Sequence, residues 1–118
     1  NYRQYDPGHI MENIIYNELL RRGYSVDVGV VTDRTGGANA QKEIDFIVND
    51  ADKKIYIQSA FQMDTEKKES SELTSLILTK DFFKKIIVRM DIPHNFYDDY
   101  GIFHCNLIDM LLGRVDLF

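Results

Sequence analysis

The stretch KEIDFIVNDADKKIYIQSAF, residues 42–61, limits the fold more than any other part of the chain. The runs KEIDFIV and KIYIQSAFQ are rich in β-branched and aromatic residues, and the polar segment DADKK separates them. They read as two strands joined by a turn. The first strand carries an oddity. Asp45 stands among Ile44, Phe46, Ile47 and Val48, residues that belong in a core. At the equivalent place in the second strand come Gln58, Ser59 and Ala60.

The flanking segments supply the rest of the order. DPGHIMENIIYNELLRRGY places Met11, Ile14, Ile15 and Leu19 at helical spacing, with Asp6 and Pro7 as a start, Gly23 as a C-cap and Arg21/Arg22 in the last turn. YSVDVGVV alternates, so Tyr24, Val26, Val28 and Val30 share one face of a strand. TDRTGGANAQ is a polar loop. Residues 65–79 put Glu69, Leu73, Leu76 and Ile77 along one helical face, with Asp64 or Thr65 as N-cap. FFKKIIVRMD reads as a buried strand, HNFYDDYG breaks the pattern, GIFHC is a short strand, and NLIDMLLG is a closing helix capped by Asn106. The expected architecture is α/β: a mixed central sheet of about four to five strands flanked by helices.

With 118 residues the chain fits a single domain, 1–118, large enough to bury a core. Nineteen acids against fourteen Lys and Arg give a net charge of −5, which argues weakly against nucleic acid as a partner. The doublets Arg21/Arg22, Lys67/Lys68 and Lys84/Lys85 read as solvated faces. No run approaches the ~20 apolar residues that span a bilayer, and NYRQYDPGH has no h-region. A single Cys105 in an apolar stretch fits a reduced, cytoplasmic setting. The chain begins at Asn1 rather than Met, so a piece of a longer protein is expected.

Glu12 follows an apolar helical face one turn before Ile15 and Tyr16, and Asp45 is set among apolar neighbours. Buried carboxylates are costly unless paired or metal-bound, so the two acids call for a joint explanation. The bland account gives each its own backbone N–H partners or a lysine such as Lys42. His9, His94 and His104 lack ligand spacing, and Cys105, beside His104, would point to the opposite face of a strand. Tyr16, Tyr24, Phe82, Phe83 and Phe103 read as core residues. No GxxxxGK[ST] occurs, so this chain is not itself an ATPase.

A helix with an acid, then a strand carrying Asp, then a strand with a polar triplet resembles the PD-(D/E)XK nuclease core. More closely, GHIMENIIYNELLRRGY, KEIDFIV, IYIQSAF and GIFHCNLIDMLLG are similar to the C-terminal domain of a large group of prokaryotic AAA-type ATPases. That domain is one of unknown function with a PD-(D/E)XK-like fold. The resemblance covers nearly the whole chain and implies an α-β-β-β-α-β, restriction-endonuclease-like core. By position it implies that Asp45 matches the strand Asp, Gln58 the triplet acid, Ser59 the middle residue, Ala60 the Lys, and Glu12 the first-helix acid. In active nucleases these acids hold Mg²⁺ or Mn²⁺, which polarises the phosphate and activates water.

The departures from that pattern set the functional expectation. Gln58 is a neutral ligand, and Ala60 offers nothing to a nucleophile. Lys67 or Lys68 would have to serve as a lysine that migrated to the neighbouring helix. The leading expectation is therefore a catalytically degenerate accessory or recognition module whose partner is the N-terminal ATPase domain of the same polypeptide. One alternative is a Mg²⁺- or Mn²⁺-dependent DNA or RNA nuclease with a rearranged site built on Glu12, Asp45 and Gln58, with Lys67 or Lys68 as the cation. The other is a protein-interaction or oligomerisation domain.

Overall fold

The computed structural model describes residues 6–34, 40–61, 63 and 66–118, apart from the side chains of residues 33, 66–69 and 71. Helix α1 (Pro7–Arg21) begins where Asp6 caps it: the Gly8 N–H donates to Asp6 Oδ1 at 2.9 Å, with Pro at the first helical position. It ends at Gly23, whose φ of 86° favours a residue without Cβ. Met11, Ile15 and Leu19, four residues apart, are its buried stripe. Arg22 bonds Glu18 Oε2 at 2.7 Å and the Met110 carbonyl at 2.6 Å, tying this end of the helix to the last one.

Strands β1 (Ser25–Asp33), β2 (Ala40–Asp50) and β3 (Lys53–Ala60) form an antiparallel meander. Helix α2 (Glu66–Ile77) then carries the chain to β4 (Lys84–Arg89), which runs parallel to β3. After β5 (Phe96–Tyr97), β6 (Phe103–Asn106) lies parallel to β4, and α3 (Leu107–Leu111) follows it. The sheet order is β1-β2-β3-β4-β6-β5. Asn106 caps α3 by accepting from the Ile108 and Asp109 N–H groups, as its position predicts.

Each face of the sheet has its own core. Met11, Ile15 and Leu19 of α1 and Leu107 and Met110 of α3 meet Phe46, Val48, Ile55, Ile57, Ile86 and Val88 on one side. On the other, Leu73 and Leu76 of α2 cover Ile44, Tyr56, Ala60, Ile87 and Ile102. The result is a three-layer α/β/α arrangement. Among the described residues no helix is long and apolar enough to cross a membrane.

Several expectations need correction. The sheet has six strands rather than four to five. The extra strand is β5, which pairs Phe96 with His104 and Tyr97 with Phe103 inside the segment read as a pattern break. Two residues are too short to show a period; ring stacking of Phe96 on His104, at 4.4 Å and 10°, fixes them instead. Phe82, Phe83 and Tyr16 are exposed rather than core, Phe82 completely so. The chain joins the sheet only at Lys84, because Asp81 turns it by accepting the Phe83 N–H at 3.1 Å. Val28 and Val30 are exposed because β1 is an edge strand, and Ile77 faces outward at the end of α2. The expected α2 caps, Asp64 and Thr65, lie outside the described residues.

One irregularity positions the site. Asp27 pairs with Ile47, but Gly29 pairs with Ile44, so Val28 alone opposes both Asp45 and Phe46. This is a β-bulge in β2. It reverses the alternation: Ile44 and Ile47 pack on the α2 side, while Phe46 and Val48 pack on the α1 side. Gly29 makes the close approach possible. A Cβ there would lie 2.5 Å from Ile47 Cδ1 and 3.3 Å from Ile44 Cβ. Gly29→Ala is expected to lower stability by about 1–2 kcal/mol, read as a reduced urea midpoint with an unchanged slope.

Candidate functional site

The β2–β3 ladder ends at the pair Phe46–Ile57, beside the bulge. Beyond it the strands separate, and the backbone N–H groups of Asp45 and Ser59 would lose their partners. Side chains take over. Gln58 Oε1 accepts from the Asp45 N–H at 2.9 Å, and Asp45 Oδ2 accepts from the Ser59 N–H at 2.8 Å. The Gln58 amide nitrogen donates to Ser75 Oγ on α2 at 3.2 Å and, at 3.4 Å, to the Glu43 carbonyl. The residues singled out from the sequence thus meet, and they do so by closing a fork between two strands.

Glu12 is not in the core. Its side chain is 43% exposed and stands at the rim of a cleft between the N-terminal half of α1 and the splayed strands. The helical face that carries Ile15 and Leu19 turns inward, and Glu12 lies one step around from it. His9 approaches Asp6 Oδ2 at 3.7 Å and Glu12 Oε2 at 3.8 Å.

The cleft has two hollows that share Glu12. One, of about 450 Å³, reaches Ser59, Ala60 and Glu72; the other, of about 240 Å³, reaches Glu43, Asp45 and Phe46. Burial pushes the Asp45 carboxyl up to about 6. The Ser59 N–H opposes that rise, and the charges of Glu12, Glu72 and Glu43 add to it.

The expected metal set is Glu12, Asp45 and Gln58. Gln58 places its amide oxygen on a backbone N–H. Among the described residues no three of His, Cys, Asp and Glu gather closely enough to hold a metal ion. Ala60 is buried and brings no donor. Lys67 and Lys68 fall in the first turn of α2, and their side chains lie outside the described residues.

Sequence reasoning missed two features. Ser75 is a polar residue buried on α2, two residues after Leu73, and the helical spacing gave no signal of its burial. The second is a chain of polar groups across β4, β6 and β5. The buried Arg89 grips Asp91 through two bonds, at 2.7 and 2.9 Å, and meets His104 Nδ1 at 3.0 Å. Guanidinium only donates, so Nδ1 accepts, and the ring proton on Nε2 points to Asp98 Oδ2 at 2.8 Å. Asp98 Oδ1 in turn holds the Tyr100 and Ile102 N–H groups. Bonding to Arg89 brings the Asp91 carboxyl down to about 2. Cys105 is fully buried, and burial raises its thiol to about 11, which leaves it inert.

Residues 7–102 match the family described as Domain of unknown function (DUF4143). A Haemophilus influenzae protein, described as uncharacterized, is 44% identical over 78 residues. Those residues are 66% of this chain and 17% of the relative, so the match spans less than a fifth of the relative's length. No solved structure matches the chain.

Proposed function

The chain belongs to the DUF4143 family, and on that premise we propose that it is a noncatalytic accessory and recognition module of a longer polypeptide. The partner in that polypeptide is an AAA-type ATPase domain. The observation that carries this reading is the use made of Gln58. Both ends of its amide are committed to joining β2, β3 and α2, at the position where a nuclease of the resembled core keeps a metal-binding acid. Ala60 stands where that core keeps its lysine. The element order α1-β1-β2-β3-α2-β4 agrees with the resembled core, and the small share of the relative that is matched fits a module within a larger chain.

The test is direct. Single- and double-stranded DNA and RNA incubated with the chain and Mg²⁺ or Mn²⁺ should stay intact, and Mn²⁺ should bind no tighter than about 1 mM. Metal-dependent cleavage that disappears in Asp45→Asn would overturn the reading.

A second reading, a metal-dependent nuclease with a rearranged site, has one observation in its favour. Glu12 and Asp45 line the same hollow, and Asp45 carries the raised carboxyl common at reactive sites. It needs Lys67 or Lys68 to bring a cation to that cleft. Cleavage abolished by Lys67→Ala or Lys68→Ala would favour it.

A further inference from the structure

The two edges of the sheet are unequal. β5 is 2 residues long, whereas β1 runs for 9 and has no strand on its outer side among the described residues. An edge of that length offers a row of backbone N–H and C=O groups to another strand, and such edges are usually blunted by Lys, Pro or a bulge. The sequence of β1, SVDVGVVTD, holds neither Lys nor Pro, and the bulge lies in β2. Val28 and Val30, which share the α1 side of the strand with Val26, are 65% and 56% exposed.

The helix beside that edge continues the apolar surface. Tyr16 lines the smaller hollow together with Val28, and Leu20 follows one turn later on α1, also exposed. From Asn13 to Leu20 the exposed residues on this flank of the helix are Asn13, Tyr16, Asn17 and Leu20, and none carries a charge. A surface that meets its own copy across a two-fold axis sets each charge near its like, so an uncharged strip favours self-association.

We propose that the chain forms a two-fold dimer by antiparallel pairing of β1 with β1 of a second copy, the two α1 helices coming side by side over the joined sheet. With the axis at Gly29, Val28 lies opposite the partner's Val30, so valines meet twice on the α1 side. Asp27 then lies opposite the partner's Val31 and Asp33 opposite the partner's Ser25, and no acid faces an acid. A foreign strand would cover the edge but leave Tyr16 and Leu20 open. A second copy brings both an edge and a matching helix flank. Its edge then stands at the outer wall of the smaller hollow, which Asn13, Tyr16 and Val28 line. The dimer is independent of the proposed function, because it makes no use of Gln58, Ala60 or Asp45.

Sedimentation velocity on the chain from about 5 to about 100 µM tests it. A monomer–dimer equilibrium is expected, in which Val28→Lys, placed twice by symmetry, weakens association at least about tenfold. Val30→Lys should act alike, and both side chains are exposed enough for the dilute monomer to keep its melting temperature. Phe82→Lys, on the loop before β4, should leave the dimer intact although Phe82 is fully exposed. In the unaltered chain, deuterium exchange of the β1 amides should slow by at least about threefold as concentration rises, a readout that needs no variant to fold. A chain that stays monomeric over this range overturns the proposal, and so does β1 exchange that ignores concentration. A dimer that both valine variants leave intact, or one that Phe82→Lys dissociates, overturns it as well.

Discussion

Arg89→Met is expected to destabilise the fold by about 3 kcal/mol, the cost of removing one member of a buried ion pair while leaving the other in place. Arg89 ends β4 at 9% exposure, and its two donors to Asp91 sit beside the bond to His104 Nδ1. Methionine fills the space but donates nothing. Asp91 would lose the partner that lowers its carboxyl to about 2, although it would keep the Met63 N–H. His104 would lose the donor that sets its tautomer, and with it the aim of Nε2 at Asp98. The sign with pH follows. A depressed carboxyl gives stability that is present above its unfolded value of 3.8 and lost as pH falls toward about 2. The gap between parent and variant should therefore narrow below pH 3.8 in urea melts. A gap that stays constant across that range would show that Asp91 contributes nothing to it.

Asp45→Asn should act in the opposite direction and stabilise the chain at neutral pH by about 1–3 kcal/mol. The Asp45 carboxyl rises from 3.8 to about 6, chiefly through burial, with Glu12, Glu72 and Glu43 adding repulsion. A raised carboxyl makes the folded state hold its proton while the unfolded chain has already released it. Stability is therefore highest below 3.8 and falls as pH climbs through about 6. The groups that face Asp45 are Glu12 from α1, Glu43 from its own strand, Glu72 from α2 and the Ser59 N–H from β3. Among the described residues none of these groups is a cation. Asparagine keeps an oxygen for the Ser59 N–H and removes the charge. The stabilisation should vanish below pH 3.8 and be complete near pH 7. A variant less stable than the parent at pH 7 would mean that an unseen partner offsets the charge of Asp45. A residue that lowers stability is the usual mark of a site kept for binding or chemistry.

Much of the architecture is legible in the amino-acid order. Asp6, Pro7 and Gly23 bound the first helix, the hairpin turn falls between Asp50 and Lys53, and Asn106 caps the last helix. These signals are local, carried by caps, turns and short periods. The bulge is not legible, because alternation through Ile44, Phe46 and Val48 looks regular, yet Ile44 lies on the opposite face from the other two. The bonding of Gln58 depends on where two strands part, and no property of the residue itself reports that. The exposure of Phe82 and Phe83 has the same origin: an apolar run says that burial is favourable, not where the strand begins. Glu12 and Asp45 do line one cleft, whereas the expected burial of Glu12 is wrong by one step around the helix.

The bulge also governs alignment. In a regular strand, sliding by one residue moves every side chain to the other face, and the penalty falls on one hydrophobic set. In β2 the two halves have opposite parity: Ile44 goes with Ile47 toward α2, and Phe46 with Val48 toward α1. A slip that carries the bulge along must bring a charged or polar residue to both cores at once, since Glu43, Asp45 and Asn49 flank the four apolar positions. The strand next to the open edge of the sheet is thus pinned like a key cut on two sides, and the irregularity that displays Asp45 is also what keeps β2 from sliding.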